Sequence, residues 1–121
     1  MAVQKMLVGG TSGGIVDPTL GSALGSETAV IAGYDSGAGK GFVAGGVAVA
    51  SQIAQNGVIM SGLPKPSANR SITNALTYDT RAASDRYTHR TVTINTSGEL
   101  ILSDSAMAAG YYWGLCAEYD L

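Results

Sequence analysis

Charge is scarce in this chain: Asp, Glu, Lys and Arg together make up 13% of its 121 residues, about half the share of an ordinary soluble domain. The formal net charge is −2 and the isoelectric point lies near 5.1. That balance works against a grip on nucleic acid, which needs Lys and Arg gathered on one face. Cys116 is the sole cysteine, so no internal disulfide framework and no cysteine-built zinc site can form. His89 is the sole histidine, and Arg86 and Arg90 stand close to it in sequence, where their charges would oppose the protonation a general base requires. Metal ligands at paired spacing are also missing. The chain is therefore expected to be no enzyme and to carry no cofactor and no metal.

Two features imitate sites that composition does not support. No charged residue occurs between Lys40 and Lys65, a run long enough to cross a bilayer. It contains Ser51, Gln52, Gln55, Asn56 and Ser61, however, and amides are costly in lipid, so no membrane span is expected. Gly37-Ala-Gly-Lys-Gly41 looks superficially like a phosphate loop. Tyr34 occupies the place of that motif's first glycine, and Gly41 stands where a magnesium-binding hydroxyl belongs. Phe42 breaks the dinucleotide pattern in the same way, so a glycine-rich β-turn accounts for these residues. One acid, Asp35, beside a lysine is too poor a donor set for calcium.

Abundant small residues take the place of charge, with 17 glycines and much Ala, Ser, Thr and Val. Such a surface suits a chain covered by neighbouring subunits, although an ordinary low-charge extracellular domain has the same composition. The length allows one domain. Strand signals dominate it. Arg90-Thr-Val-Thr-Ile-Asn95 alternates and, after Thr96-Ser97-Gly98, resumes as Glu99-Leu-Ile-Leu102, which reads as a hairpin. Asn56-Gly57 predicts a second hairpin, between 47–53 and Val58-Ile59-Met60. The segment 35–41 separates Thr28-Ala-Val-Ile31 from Phe42-Val43. In a last strand, Tyr111, Trp113, Leu115, Ala117 and Tyr119 share one side by the period of two, and Cys116 is expected there as a buried, inert thiol. Short helical turns are predicted over 79–86 and 103–110. The expected fold is all-β, a small sandwich or barrel of antiparallel hairpins with short helical connectors.

The segment 1–26 is expected to be a Gly/Ser-rich N-terminal arm ahead of a single β-rich domain, 27–121. Its apolar anchors are few, Ile15, Val16, Leu20 and Leu24, too few to offset the entropy of ordering it alone. A flexible loop and an arm that orders on a partner's sheet both fit. Half of the aromatic side chains fall in the last eleven residues: Tyr111, Tyr112, Trp113 and Tyr119. Tyr and Trp combine a large apolar body with a polar tip and are favoured at contact surfaces. Core filling by Trp113 and sugar stacking by Tyr111, Tyr112 or Trp113 are the competing uses.

Taken together, Met1-Ala-Val-Gln4 without a leader, the arm over 9–26, the run Gly41-Phe-Val-Ala-Gly-Gly-Val-Ala-Val-Ala50 and the ending Gly110-Tyr-Tyr-Trp-Gly114 resemble small virion proteins of tailed bacteriophages, capsid cement or decoration proteins above all. The resemblance implies a homotrimer on the outer capsid surface that clamps the major capsid protein and reaches it with a terminal arm. Contacts would come from Ile15, Val16, Leu20, Leu24, Tyr111, Tyr112 and Trp113. A carbohydrate- or receptor-binding module of a phage tail or fibre is the alternative.

Overall fold

Alternation of apolar and small polar residues, interrupted by turn-forming dipeptides, gives nine strands among the described residues. The computed structural model describes residues 13–79 and 87–121. The strands are β1 (Gly13–Val16), β2 (Thr19–Leu20), β3 (Ala29–Asp35), β4 (Lys40–Ala48), β5 (Val58–Ser61), β6 (Arg70–Asp79), β7 (Tyr87–Ile94), β8 (Leu100–Leu102) and β9 (Tyr111–Asp120). They hydrogen-bond in the order β1-β3-β4-β9-β6-β7-β8-β5-β2, and every pairing is antiparallel. The ladder folds over into a β-sandwich, as the sequence pattern led one to expect. β6 makes the corner. Its Arg70–Ile72 stretch pairs with β7 alone, a register shift follows between Ile72 and Ala75, and Leu76–Asp79 then pair with β9 as well. A bulged strand that changes sheet is the usual way to turn such a corner.

The two edge strands, β1 and β2, are consecutive in the chain and separated only by Asp17-Pro18. They do not pair, so the sandwich stays open at this seam, where Pro18 lacks an N–H to offer. The structure thus places residues 13–20 of the expected arm in this chain's own sheet, β1 against β3 and β2 against β5.

Between the layers lies one core. Val43 and Val47 of β4, Trp113, Leu115 and Tyr119 of β9, Val92 and Ile94 of β7, Leu100 and Leu102 of β8, and Ile59 and Met60 of β5 are all buried. Burying side chains of this size contributes about 1.5–3 kcal/mol each before entropy is counted. Trp113 is 1% exposed, and its indole N–H finds no hydrogen-bond partner among the described residues.

The hairpins at 35–41 and 95–99 form as expected. In the second, Asn95 accepts hydrogen bonds from the N–H groups of Ser97 and Glu99 through its side-chain oxygen, each at 3.0 Å. Asn56-Gly57 is a turn, closed by Gly57 N–H donating to Ala54 at 2.9 Å. Positive φ falls on Asn56 (67°) but not on Gln55, the pattern of a type II turn and not of the type I′ hairpin turn. Correspondingly, β5 pairs with β8 and β2, and not with the chain before the turn. The predicted helix over 103–110 is corrected to an irregular connection. Met107 is fully buried and forms a bridge with Ile53, so long-range packing overrides the capping pattern. The predicted turn over 79–86 lies outside the described residues apart from Asp79, which ends β6.

Candidate functional site

At the Tyr111 end of β9, three chain segments enclose a groove of about 350 Å³ lined by Gly25, Glu27, Ala48, Val49, Ala50, Gly110, Tyr111 and Tyr112. The groove is held by backbone bonds that each segment owes to another. Gly25 N–H donates to Ala48 at 2.7 Å, Val49 N–H donates to Tyr111 at 2.9 Å and Gly110 N–H donates to Val49 at 2.9 Å. The Thr28 hydroxyl accepts from Ala48 N–H at 3.0 Å and donates to the Ala48 carbonyl at 3.3 Å. A turn closed by Thr28 N–H and the Gly25 carbonyl at 3.1 Å carries Glu27 at its tip. Such cross-bracing fixes the walls before any ligand arrives, which lowers the ordering cost of binding.

Two side chains give the groove its chemistry. Tyr112 pairs across the sheet with Ala48 and is 42% exposed. Its ring reaches diagonally over β4 to Gly46, where an added Cβ would collide with the Tyr112 hydroxyl. The missing side chain leaves room for the hydroxyl end of that ring. Glu27, at the other wall, is exposed and carries no ion pair among the described residues. Its carboxylate folds over Gly25, whose absent Cβ would stand 2.8 Å from Oε2. Tyr111 is partly buried against the core, and the Arg90 guanidinium lies 5.4 Å from its ring centroid, within cation–π range. Arg90 is itself held by the Ser105 hydroxyl at 2.8 Å.

The groove opens onto the outer face of the β1-β3-β4-β9 layer. Opposed residues share a face, so the register places Ile31, Ala44 and Cys116 in one row and Ile15, Gly33, Phe42 and Glu118 in the next. Ile31 is 62% exposed and Ile15 47%. Cys116 is exposed too. The expectation of a buried thiol is corrected, because the alternation that buries Leu115 turns Cys116 outward. His89 lies on β7, separated from β9 by β6.

A second cleft, of about 420 Å³, sits at the opposite end of β9 between Lys40, Asn69–Ile72 and Glu118–Asp120. One ion pair crosses it. Lys40 forms an ion pair with Asp120, and Arg70 Nε donates to the Asp120 carbonyl at 2.9 Å. The Lys40 hydrogen bond, and then its charge, hold the Asp120 carboxyl below the usual carboxylate range, and the same contacts raise Lys40. Beneath it, burial pushes the Tyr119 hydroxyl up to about 12, and that hydroxyl donates to the Pro64 carbonyl at 2.8 Å.

Of the residues expected to make partner contacts, Tyr111 and Tyr112 meet in the groove, and Trp113 between the layers does not reach it. Ile15 lies on the outer face and Leu20 (41% exposed) on the β2 edge. Val16 and Leu24 pack against the core, Leu24 bridging to Val49. Sequence reasoning missed Glu27, Gly25 and Gly46. Nothing local marks them, since Gly25 meets Ala48 and Gly46 meets Tyr112, 23 and 66 positions away.

No protein-family model matches the chain, and no curated protein matches it. Among solved structures, the chain is similar to the head domain of phage bIL170, whose crystal structure was described in asking whether the receptor-binding domains of lactococcal phages share a common fold. The two superpose with a TM-score of 0.62 at 15% sequence identity, over 91% of this chain and 99% of that one. The fold described above is the fold of that phage domain.

Proposed function

We propose that this chain is a receptor-binding module of a phage virion that recognises carbohydrate on the host surface through the Tyr111–Tyr112 groove. A fold hosts many functions, so the likeness to the phage bIL170 head domain sets the context and the groove supplies the argument. The observation that carries it is the Tyr112 ring, 42% exposed and reaching Gly46 across the sheet, beside a braced groove with a carboxylate on its far wall. A flat aromatic face accepts the apolar C–H face of a pyranose, and a carboxylate accepts two hydroxyl protons at once. A pocket of this size falls within the range of small-ligand sites.

The groove works by contact and not by catalysis in this reading. Among the described residues, Glu27 is the one acidic or basic side chain lining it, whereas hydrolysis of a glycosidic bond uses a pair of carboxyl groups. Location at the tip of a tail fits this function better than the outer capsid surface. Several copies on one particle would multiply a modest affinity for each sugar through effective concentration.

Binding of the purified chain to an array of bacterial surface glycans tests the proposal. Retention of specific glycans by the native chain and their loss in Tyr112→Ala is expected. Equal retention by both would remove the groove from the function.

A further inference from the structure

The electrostatics of the groove narrow the ligand class, on the footing of the receptor-binding reading above. We infer that the groove selects uncharged or amine-bearing sugars and rejects acidic ones, with Glu27 as the discriminating group and Gly46 as the residue that positions the aromatic platform. Among the described residues, no Lys, Arg or His lines the groove. Arg90 faces the Tyr111 ring with its guanidinium hydrogen-bonded to Ser105, and its charge acts on the Asp104 carboxylate. An acidic sugar would bring a second negative charge beside Glu27, a like-charge contact that works as a specificity device. Sugar hydroxyls donate to the carboxylate without such a cost, and an ammonium group adds a charge-assisted hydrogen bond.

Gly46 acts through Tyr112. Its backbone φ is not in the left-handed region, so alanine fits the strand. What alanine displaces is the far end of the Tyr112 side chain. The ring must then lift from the sheet, and the platform is lost while the aromatic residue is kept. Gly46 is a positioning residue, and Gly46→Ala separates the presence of the tyrosine from its placement.

The test titrates the whole chain with three oligosaccharide sets of equal length: N-acetylglucosamine oligomers, glucosamine oligomers and galacturonic acid oligomers. For the native chain the acidic set is expected to bind at least about tenfold more weakly than the neutral set. Glu27→Gln should bring the sets to within about threefold of one another. Gly46→Ala should weaken all sets alike, on the order of tenfold, with an unchanged circular dichroism spectrum. Tyr112→Phe, which keeps the ring, should retain most of the affinity. Acidic oligomers binding as tightly as neutral ones, or a ranking unmoved by Glu27→Gln, would overturn this inference. The receptor-binding reading would survive either result so long as Tyr112→Ala abolished binding. If none of the sets gave binding sensitive to Tyr112→Ala, both would fall.

Discussion

Neighbouring residues on β9 should separate stability from binding. Tyr112 and Trp113 are adjacent in the chain and face opposite sides of the sheet, one 42% exposed and the other 1%. Trp113→Ala removes the largest fully buried side chain and leaves a cavity between the layers. Truncations of this kind cost about 3–5 kcal/mol. The indole N–H has no partner among the described residues, so no hydrogen bond adds to that loss, and the lower half of the range applies. A domain of 121 residues has a total stability of about 6–18 kcal/mol at the usual ~0.05–0.15 kcal/mol per residue. The variant should therefore fold with a visibly reduced midpoint. Tyr112→Ala gives up a ring that remains half in water, with an expected cost below about 1 kcal/mol. Urea titrations followed by far-UV circular dichroism, which does not depend on the lost tryptophan, measure both. Equal destabilisation by the two substitutions, or a Trp113→Ala cost under about 1 kcal/mol, would refute the assignment of faces on β9.

The remaining predictions concern titrating and reactive groups. Tyr119 ionises in the unfolded chain near pH 10 but in the folded chain only at about 12. Its burial therefore costs nothing below pH 10, and stability falls as pH rises from about 10 through 12. Tyr119→Phe should be less stable than the native chain at pH 7 by about 1 kcal/mol, through the lost bond to Pro64. That gap should narrow or invert by pH 12 in parallel urea titrations; a constant gap would contradict the burial of the hydroxyl. Asp120, held below its usual range by Lys40, contributes stability that is present above its unfolded value of about 3.9 and is lost as pH falls through the lower folded value. Acid titration of Asp120→Asn should show a shallower loss of stability below pH 4 than the native chain, by a small margin because the pair is exposed. Cys116 should react with a thiol reagent in the folded protein at nearly the rate seen in denaturant; protection of more than about a hundredfold, the signature of a group released only by local opening, would place it inside.

Much of the fold was legible because it is local. The alternation over 111–119 announced the inward set of Trp113, Leu115 and Tyr119, and the Asn95–Glu99 turn announced β7 and β8. The same alternation, followed strictly, turns Cys116 outward; its apolar neighbours Leu115 and Ala117 suggested otherwise. Pairing partners were not legible. Asn56-Gly57 marked a turn, yet β5 joins β8 some 40 residues later and β2 some 40 earlier. β1 and β2 are too short to carry a periodic signal, and they become strands because β3 and β5 offer them edges. Over 103–110 the capping pattern lost to the burial of Met107. The groove was half visible, through Tyr111 and Tyr112. Its other wall, residues 25–27, meets them only because Ala48 hydrogen-bonds the turn on one side and pairs with Tyr112 on the other.

Localisation of carbohydrate binding on the folded chain tests the central claim most directly. Backbone amide chemical shifts recorded while an oligosaccharide retained on the glycan array is titrated in should move at Gly25–Glu27, Ala48–Ala50 and Gly110–Tyr112, and should stay fixed in Tyr112→Ala at an unchanged melting temperature. Shifts clustered instead around Lys40, Arg70 and Asp120, or shifts that persist undiminished in Tyr112→Ala, would contradict it.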